Sequence, residues 1–142
     1  MHIVPYTSVS GVKFGSSESE VAAAFGPPRS RDVQPDGRIE LSYDQHIFRF
    51  STRSTLVEVT ASSEYFEVVG CSLPSFKRRE IAFVDLGYVV AKLDESSFEC
   101  HGFFVSPKFG ILFDAHHQPH LTAFSRSELG ALQELAGGEN AV

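Results

Sequence analysis

From residue 38 onward the chain alternates apolar and polar side chains with a period of two, in short runs separated by turn residues. Successive side chains of an extended strand point to opposite faces, so such runs specify strands that bury one face and wet the other. Ile39, Leu41 and Tyr43 alternate with Arg38, Glu40 and Ser42 after the turn Pro35-Asp36-Gly37. Asp44-Gln45 then reverses the chain into Ile47-Phe48-Arg49-Phe50, and the polar run from Ser51 to Thr55 leads into Leu56-Val57-Glu58-Val59-Thr60. This spacing predicts a three-stranded meander.

The pattern returns in the second half, with strands predicted at Phe98 to Val105, Phe109 to Phe113 and His120 to Phe124. Turns are expected at Ser106-Pro107-Lys108 and across Asp114 to Pro119. Helical signals precede each meander and follow the second. Ser17 with Glu20 reads as a capping box, Val21, Ala24 and Phe25 fall at helical spacing, and Gly26-Pro27-Pro28 stops the helix. Asp85 is placed to cap a helix through Leu86, Tyr88, Val89, Val90 and Leu93, with a strand as the rival because of Gly87 and the valines. Ser125-Arg126-Ser127-Glu128 reads as a second capping box, ahead of Leu129, Leu132 and Leu135, with a stop at Gly137-Gly138 and a loose tail from Glu139 to Val142.

The expected fold class is therefore α+β, with antiparallel sheets and short helices packed on one face. Two copies of a helix-plus-meander unit, 9–70 and 80–136, are expected from an internal duplication, joined by an exposed connector at 71–79. A chain of 142 residues is long enough for a single compact domain, 1–142, with a packed core that needs neither disulfides nor a structural metal. One shared core and two joined lobes both fit.

Eighteen acidic against twelve basic residues give a net charge of -6, the wrong sign for a protein that holds phosphates by releasing counterions. Nucleic acid is not expected as a partner, and Lys77-Arg78-Arg79 reads as a solvated loop. Met1 to Tyr6 shows no basic leader or signal-length apolar core, and no apolar run approaches the roughly 20 residues of a membrane-spanning helix. Cys71 and Cys100 lack the spacing of a redox pair or zinc site. These features predict a cytoplasmic location without a membrane partner.

Few residues carry recognisable chemistry. Asp114, His116, His117 and His120 form the one cluster of metal-capable side chains, and Asp114, His116 and His120 would be the ligands of a small metal-dependent enzyme. His46 and His101 would join only if separate strands converge. The spacing matches no known metal motif and lies in a predicted hairpin loop, so a polar loop is expected, without metal or other cofactor. Cys100-His101 would face opposite sides of a strand, and Asp94-Glu95 need not share a cleft. Nucleophile elbows and phosphate-binding glycine loops are missing, so no catalytic residue is expected. Thirteen phenylalanines supply much of the core, but Phe103 and Phe104 are consecutive, so one of them should face away unless that side is covered. A homo-oligomeric adaptor with either residue at a symmetric interface is a further alternative.

Gly11-Val12-Lys13-Phe14-Gly15-Ser16-Ser17, Glu20-Val21 and Phe25-Gly26-Pro27-Pro28, followed by Gly37 and Leu41-Ser42-Tyr43, resemble the repeat of the beta-lactamase inhibitor protein and related small outer-membrane lipoproteins. The resemblance covers about 40 residues and implies a short helix on an antiparallel sheet, with two tandem copies presenting a concave sheet surface to an enzyme. The signal peptide, lipidation cysteine and disulfides of those families are not matched, which points to a cytoplasmic setting. There, a small acidic α+β chain is similar to the immunity proteins of interbacterial toxin systems such as type VI secretion. That likeness implies binding to a cognate toxin or effector domain with a basic cleft and occlusion of its active site. The contacts expected from acidity and exposure are Asp36, Glu40, Asp44 and Glu58 on the first meander and Asp94, Glu95 and Glu99 on the second, with Phe103 and Phe104 as aromatic anchors.

Overall fold

The computed structural model describes residues 1–76, 78–116 and 118–140, with side chains through residue 137. Two strand meanders meet side by side in one eight-stranded antiparallel sheet. The first consists of β4 (Ser30–Val33), β5 (Ile39–Ser42), β6 (His46–Phe50) and β7 (Leu56–Ser62). The second consists of β10 (Phe98–Cys100), β11 (Phe103–Ser106), β12 (Ile111–Phe113) and β13 (His120–Phe124), and the order across the sheet is β10-β11-β12-β13-β7-β6-β5-β4. Each meander follows a helix, α1 (Glu18–Phe25) or α2 (Phe83–Leu93). The two meanders join where β7 pairs with β13, with Thr60 opposite Thr122 and their hydroxyls 2.7 Å apart. The α+β class is thus observed, and the helix-then-meander order occurs twice.

A second, smaller sheet contains β1 (His2–Val4), β2 (Ser8–Val9), β3 (Val12–Lys13), β8 (Tyr65–Val68) and β9 (Ile81–Ala82), in the order β3-β2-β1-β8-β9. Its β1–β8 pair is parallel, so the sheets are not uniformly antiparallel. These strands are too short to show a period, and Ser10-Gly11 closes β2 and β3 with both φ angles positive. Strand β4 is likewise outside the predicted meander. All four of its residues are exposed, so it carries no burial signal and depends on pairing with β5 and on the Arg31–Glu18 ion pair at 2.7 Å.

Three other boundaries differ from expectation. Phe98 to Val105 is two strands, because His101 and Gly102 adopt left-handed φ values of 50° and 84° and turn the chain in a two-residue hairpin. Helix α2 starts at Phe83 after Ala82, with no side-chain cap, so Asp85 sits in its first turn instead of capping it. The final helix, α3 (Arg126–Asn140), continues through Gly137-Gly138, which removes Glu139 and Asn140 from the expected tail; Ala141 and Val142 lie outside the described residues. The Glu128 carboxylate binds the Arg38 guanidinium at 2.7 and 3.4 Å, tying α3 to the first meander.

One core serves both halves. Val21 of α1 and Leu86, Val89 and Val90 of α2 pack with inward residues of both meanders, including Phe48, Phe50, Val59, Ile111, Phe113 and Leu121. The small sheet contributes Ile3, Val9, Phe66 and Ile81 to the same cluster. Burying each large apolar side chain stabilises the fold by about 1.5–3 kcal/mol, so neither half can be separated without exposing several. The segment 71–79 is more than an exposed connector, because Cys71 is buried and Leu73 and Phe76 pack on this core; Lys77 lies outside the described residues. Burial pushes the Cys71 thiol up to about 11, which suits an inert packing role. A smaller cluster of Cys100, Val105, Phe124 and Ala136 lies beneath α3 on the opposite face of the large sheet.

Asp94 closes α2 and is 3% exposed, contrary to its expected place on a contact surface. Its carboxylate accepts hydrogen bonds from the Ser106 hydroxyl at 2.6 Å, the Ser96 hydroxyl at 2.5 Å, and the backbone N–H groups of Ser96 and Lys108 at 2.9 and 3.0 Å. Burial alone raises this carboxyl, but the hydrogen bonds outweigh it and hold Asp94 below its ordinary value. Asp94→Ala should therefore cost about 3 kcal/mol, measured as a loss in chemical-denaturation free energy at pH 7. Because the folded value is depressed, this contribution is present above the unfolded carboxylate value and is lost as pH falls through the folded one. The wild-type and Asp94→Ala stabilities should converge in acid.

Candidate protein-binding face

The period-two alternation that fills the core also builds a polar outer face. Leu41, Phe48 and Val59 point inward, so their neighbours Glu40, Arg49, Glu58 and Thr60 point outward. Cross-strand register places Asp32 opposite Glu40, Glu40 opposite Arg49, and Arg49 opposite Glu58 in one row across β4 to β7. Arg49 connects it, with Nε 2.9 Å from Glu40 Oε1, Nη1 2.6 Å from Thr60 Oγ1, and Nη1 3.7 Å from Glu58 Oε2.

Helix α3 packs over the second meander, while on the outer face of the first Glu40, Arg49 and Glu58 remain about a quarter exposed. Tyr6 anchors the helix start, with its hydroxyl donating to Pro107 O, its ring edge-on to Phe124, and the Arg126 guanidinium 4.1 Å from its centre. Gly110 permits this approach, since a β-carbon there would lie 3.1 Å from the Tyr6 ring. At the boundary, Arg38–Glu128 adds a third ion pair to the two within the Glu40–Arg49–Glu58 row. Burial raises the Glu58 carboxyl; Arg49 pulls it down, Glu128 and Glu40 push it up, and Arg38 opposes them.

The expected contact residues are divided among several regions. Glu40 and Glu58 share the open face; Asp36 lies in the adjoining turn, where its carboxylate accepts from Arg38 N at 2.9 Å. Asp44 pairs with Arg29 in the β5–β6 turn, and Glu95 lies in the loop after α2. Glu99 shares its register position with Phe104, which packs inward against Phe113 with ring centres 5.6 Å apart. Phe103 takes the opposite side and is 43% exposed. Asp32 and Arg49 complete the row and Thr60 flanks it, and none of the three was anticipated; the alternation around Glu40 and Glu58 contains the signal for Arg49 and Thr60.

The histidines do not converge as the metal-dependent alternative requires. Asp114 Oδ1 accepts from the His116 backbone N–H at 3.0 Å, which shapes the β12–β13 turn. The His120 ring instead reaches β7, with Nδ1 2.6 Å from Ser62 Oγ and Nε2 3.3 Å from Gln118 Oε1. Among the described residues no three His, Cys, Asp or Glu side chains form a metal-binding group, so Asp114, His116 and His120 are not one; His117 lies outside the described residues. His46 packs between Phe25 and Phe48, and its Nε2 lies 3.0 Å from Ser10 Oγ. Burial, aided by the chain's terminal amine, lowers its ring below the ordinary value. No described helix is long and apolar enough to cross a membrane.

The geometry defines a two-sheet α+β protein with a partly exposed, ion-paired sheet face. No family model, curated protein or solved structure matches the chain.

Arg49→Met should destabilise the protein by about 1–2 kcal/mol at pH 7, because Glu40 and Glu58 would lose their shared counter-charge. The raised folded value of Glu58 fixes the sign of the pH response. Lowering pH through that value protonates Glu58 and restores stability to the variant. Urea midpoints across this acid range should show the gap to wild type narrowing.

Proposed function

We propose that this chain is an immunity protein that binds a toxin or effector domain with a basic cleft and occludes it with the open half of the eight-stranded sheet. The carrying observation is the partly exposed, ion-paired row of Asp32, Glu40, Arg49 and Glu58 across four paired strands, in a chain with a net charge of -6. Such a field steers a basic partner into encounter, and rigid strands present their side chains with little ordering cost. Arg49 fixes the carboxylates before binding. Partner Arg or Lys groups can then pair with the remaining lone pairs of Glu40 and Glu58, while Thr60 and Thr122 supply neutral hydrogen-bonding groups beside them. Inhibition in this reading is steric and electrostatic, without chemistry by the chain itself.

The test is co-expression with the product of the adjacent gene, followed by sizing of the complex. Wild type should rescue growth and bind, whereas Glu40→Lys combined with Glu58→Lys should weaken binding at least tenfold. Glu95→Lys should leave it within about twofold, since electrostatic effects fall away with separation. A harmless neighbour that forms no complex, or equal effects from both sites, would overturn the proposal.

A further inference from the structure

Helix α2 is apolar on both sides. Of its 11 residues only Asp85 and Lys92 are charged. Phe83, Leu86, Val89 and Val90 are buried against the core, as expected for a helix on a sheet. The opposite side carries Val84, 86% exposed, and Tyr88, 60% exposed, one turn apart. Ala91 continues this exposed stripe, while Gly87 faces open space and places no side chain in the way of an approaching backbone. Tyr65, 45% exposed, extends it at the helix start, where it and Val84 line a cavity of about 310 Å³. An uncovered helix ordinarily turns polar residues to water, so this stripe calls for a cover.

We propose that the cover is a second copy of this chain, packed antiparallel through α2. The charges select this occupant. Asp85 and Lys92 are seven residues apart, two helical turns, and therefore lie on the same flank of the apolar stripe. In an antiparallel helix pair, matching flanks face each other. A two-fold axis between Tyr88 and Val89 sets Asp85 of each copy against Lys92 of the other, while Val84 and Tyr88 fill the centre. Parallel packing would instead put the two copies' Asp85 and Lys92 flanks on opposite sides of the stripe, where neither charge meets its opposite, and would align rather than oppose the helix dipoles. Because α2 lies on the inner side of the large sheet, this dimer leaves the row of Glu40, Arg49 and Glu58 uncovered in both copies.

Sedimentation equilibrium of the full chain tests the pairing. The expected mass is twice the 15.6 kDa of one chain, decreasing to one on dilution. Val84→Glu and Tyr88→Glu alter exposed positions, so they should retain wild-type circular dichroism while raising the dimer dissociation constant at least tenfold. Asp85→Lys and Lys92→Asp should each weaken the dimer at least tenfold, and the double exchange should return it to within about threefold of wild type. A single-chain mass up to millimolar concentration, persistence of the dimer in folded Tyr88→Glu, or failure of the double exchange to restore it would overturn the proposal. Monomers that associate only with another protein through this stripe would also overturn it.

Discussion

The pairing of β7 with β13 unites the structure. It joins two meanders into one sheet, so inward residues from both halves pack in a single core beneath α1, α2 and the small sheet. Without that seam, each meander would expose an apolar edge strand to water. The seam also creates a broad outer face, part of which α3 closes. Thr60 and Thr122 bridge its two meanders through their hydroxyls, and Arg49 Nη1 bonds to Thr60. The ion-paired row is therefore tied directly to the seam.

The two ends of the sheet show how similar strand patterns acquire different surfaces. Over the second meander, Val105 and Phe124 lie outward, and α3 covers them with Leu129, Leu132 and Ala136. Over the first meander, the corresponding face carries Glu40, Arg49 and Glu58 and needs no apolar cover. Arg38–Glu128 marks the boundary between these regions. The face is consequently preorganised by packing from below and by ion pairs within its own plane.

Elements with a strong burial period were legible in the sequence. Strands β5 and β6, helix α1 and strand β13 fall where alternation, turns and caps place them, and the choice of which phenylalanine of Phe103-Phe104 faces outward follows from β11–β12 pairing. Exposed β4 and the two- and three-residue strands of the small sheet carry no comparable period, so pairing determines them. The His101-Gly102 turn was missed because the flanking Phe98 and Phe103 to Val105 read as one strand, although both turn residues are of types that favour positive φ. Acidity singled out Glu40, Glu58 and Asp94 alike, although the first two lie on the outer sheet face and Asp94 is buried among four hydrogen-bond donors from Ser96, Ser106 and Lys108. Proximity in sequence likewise failed for Asp114, His116 and His120, since the His120 ring reaches across the seam to Ser62.

The central claim is that the open outer face of β5 to β7 is the docking surface. Its most direct measurement is the map of backbone amide shifts in isotopically labelled protein titrated with the partner domain. The account predicts the largest changes at Glu40, Arg49, Glu58, Thr60 and Thr122, with small changes along α1 and the inner core. Saturable changes concentrated on α1 or the small sheet, with the β5–β7 face unchanged, would contradict it.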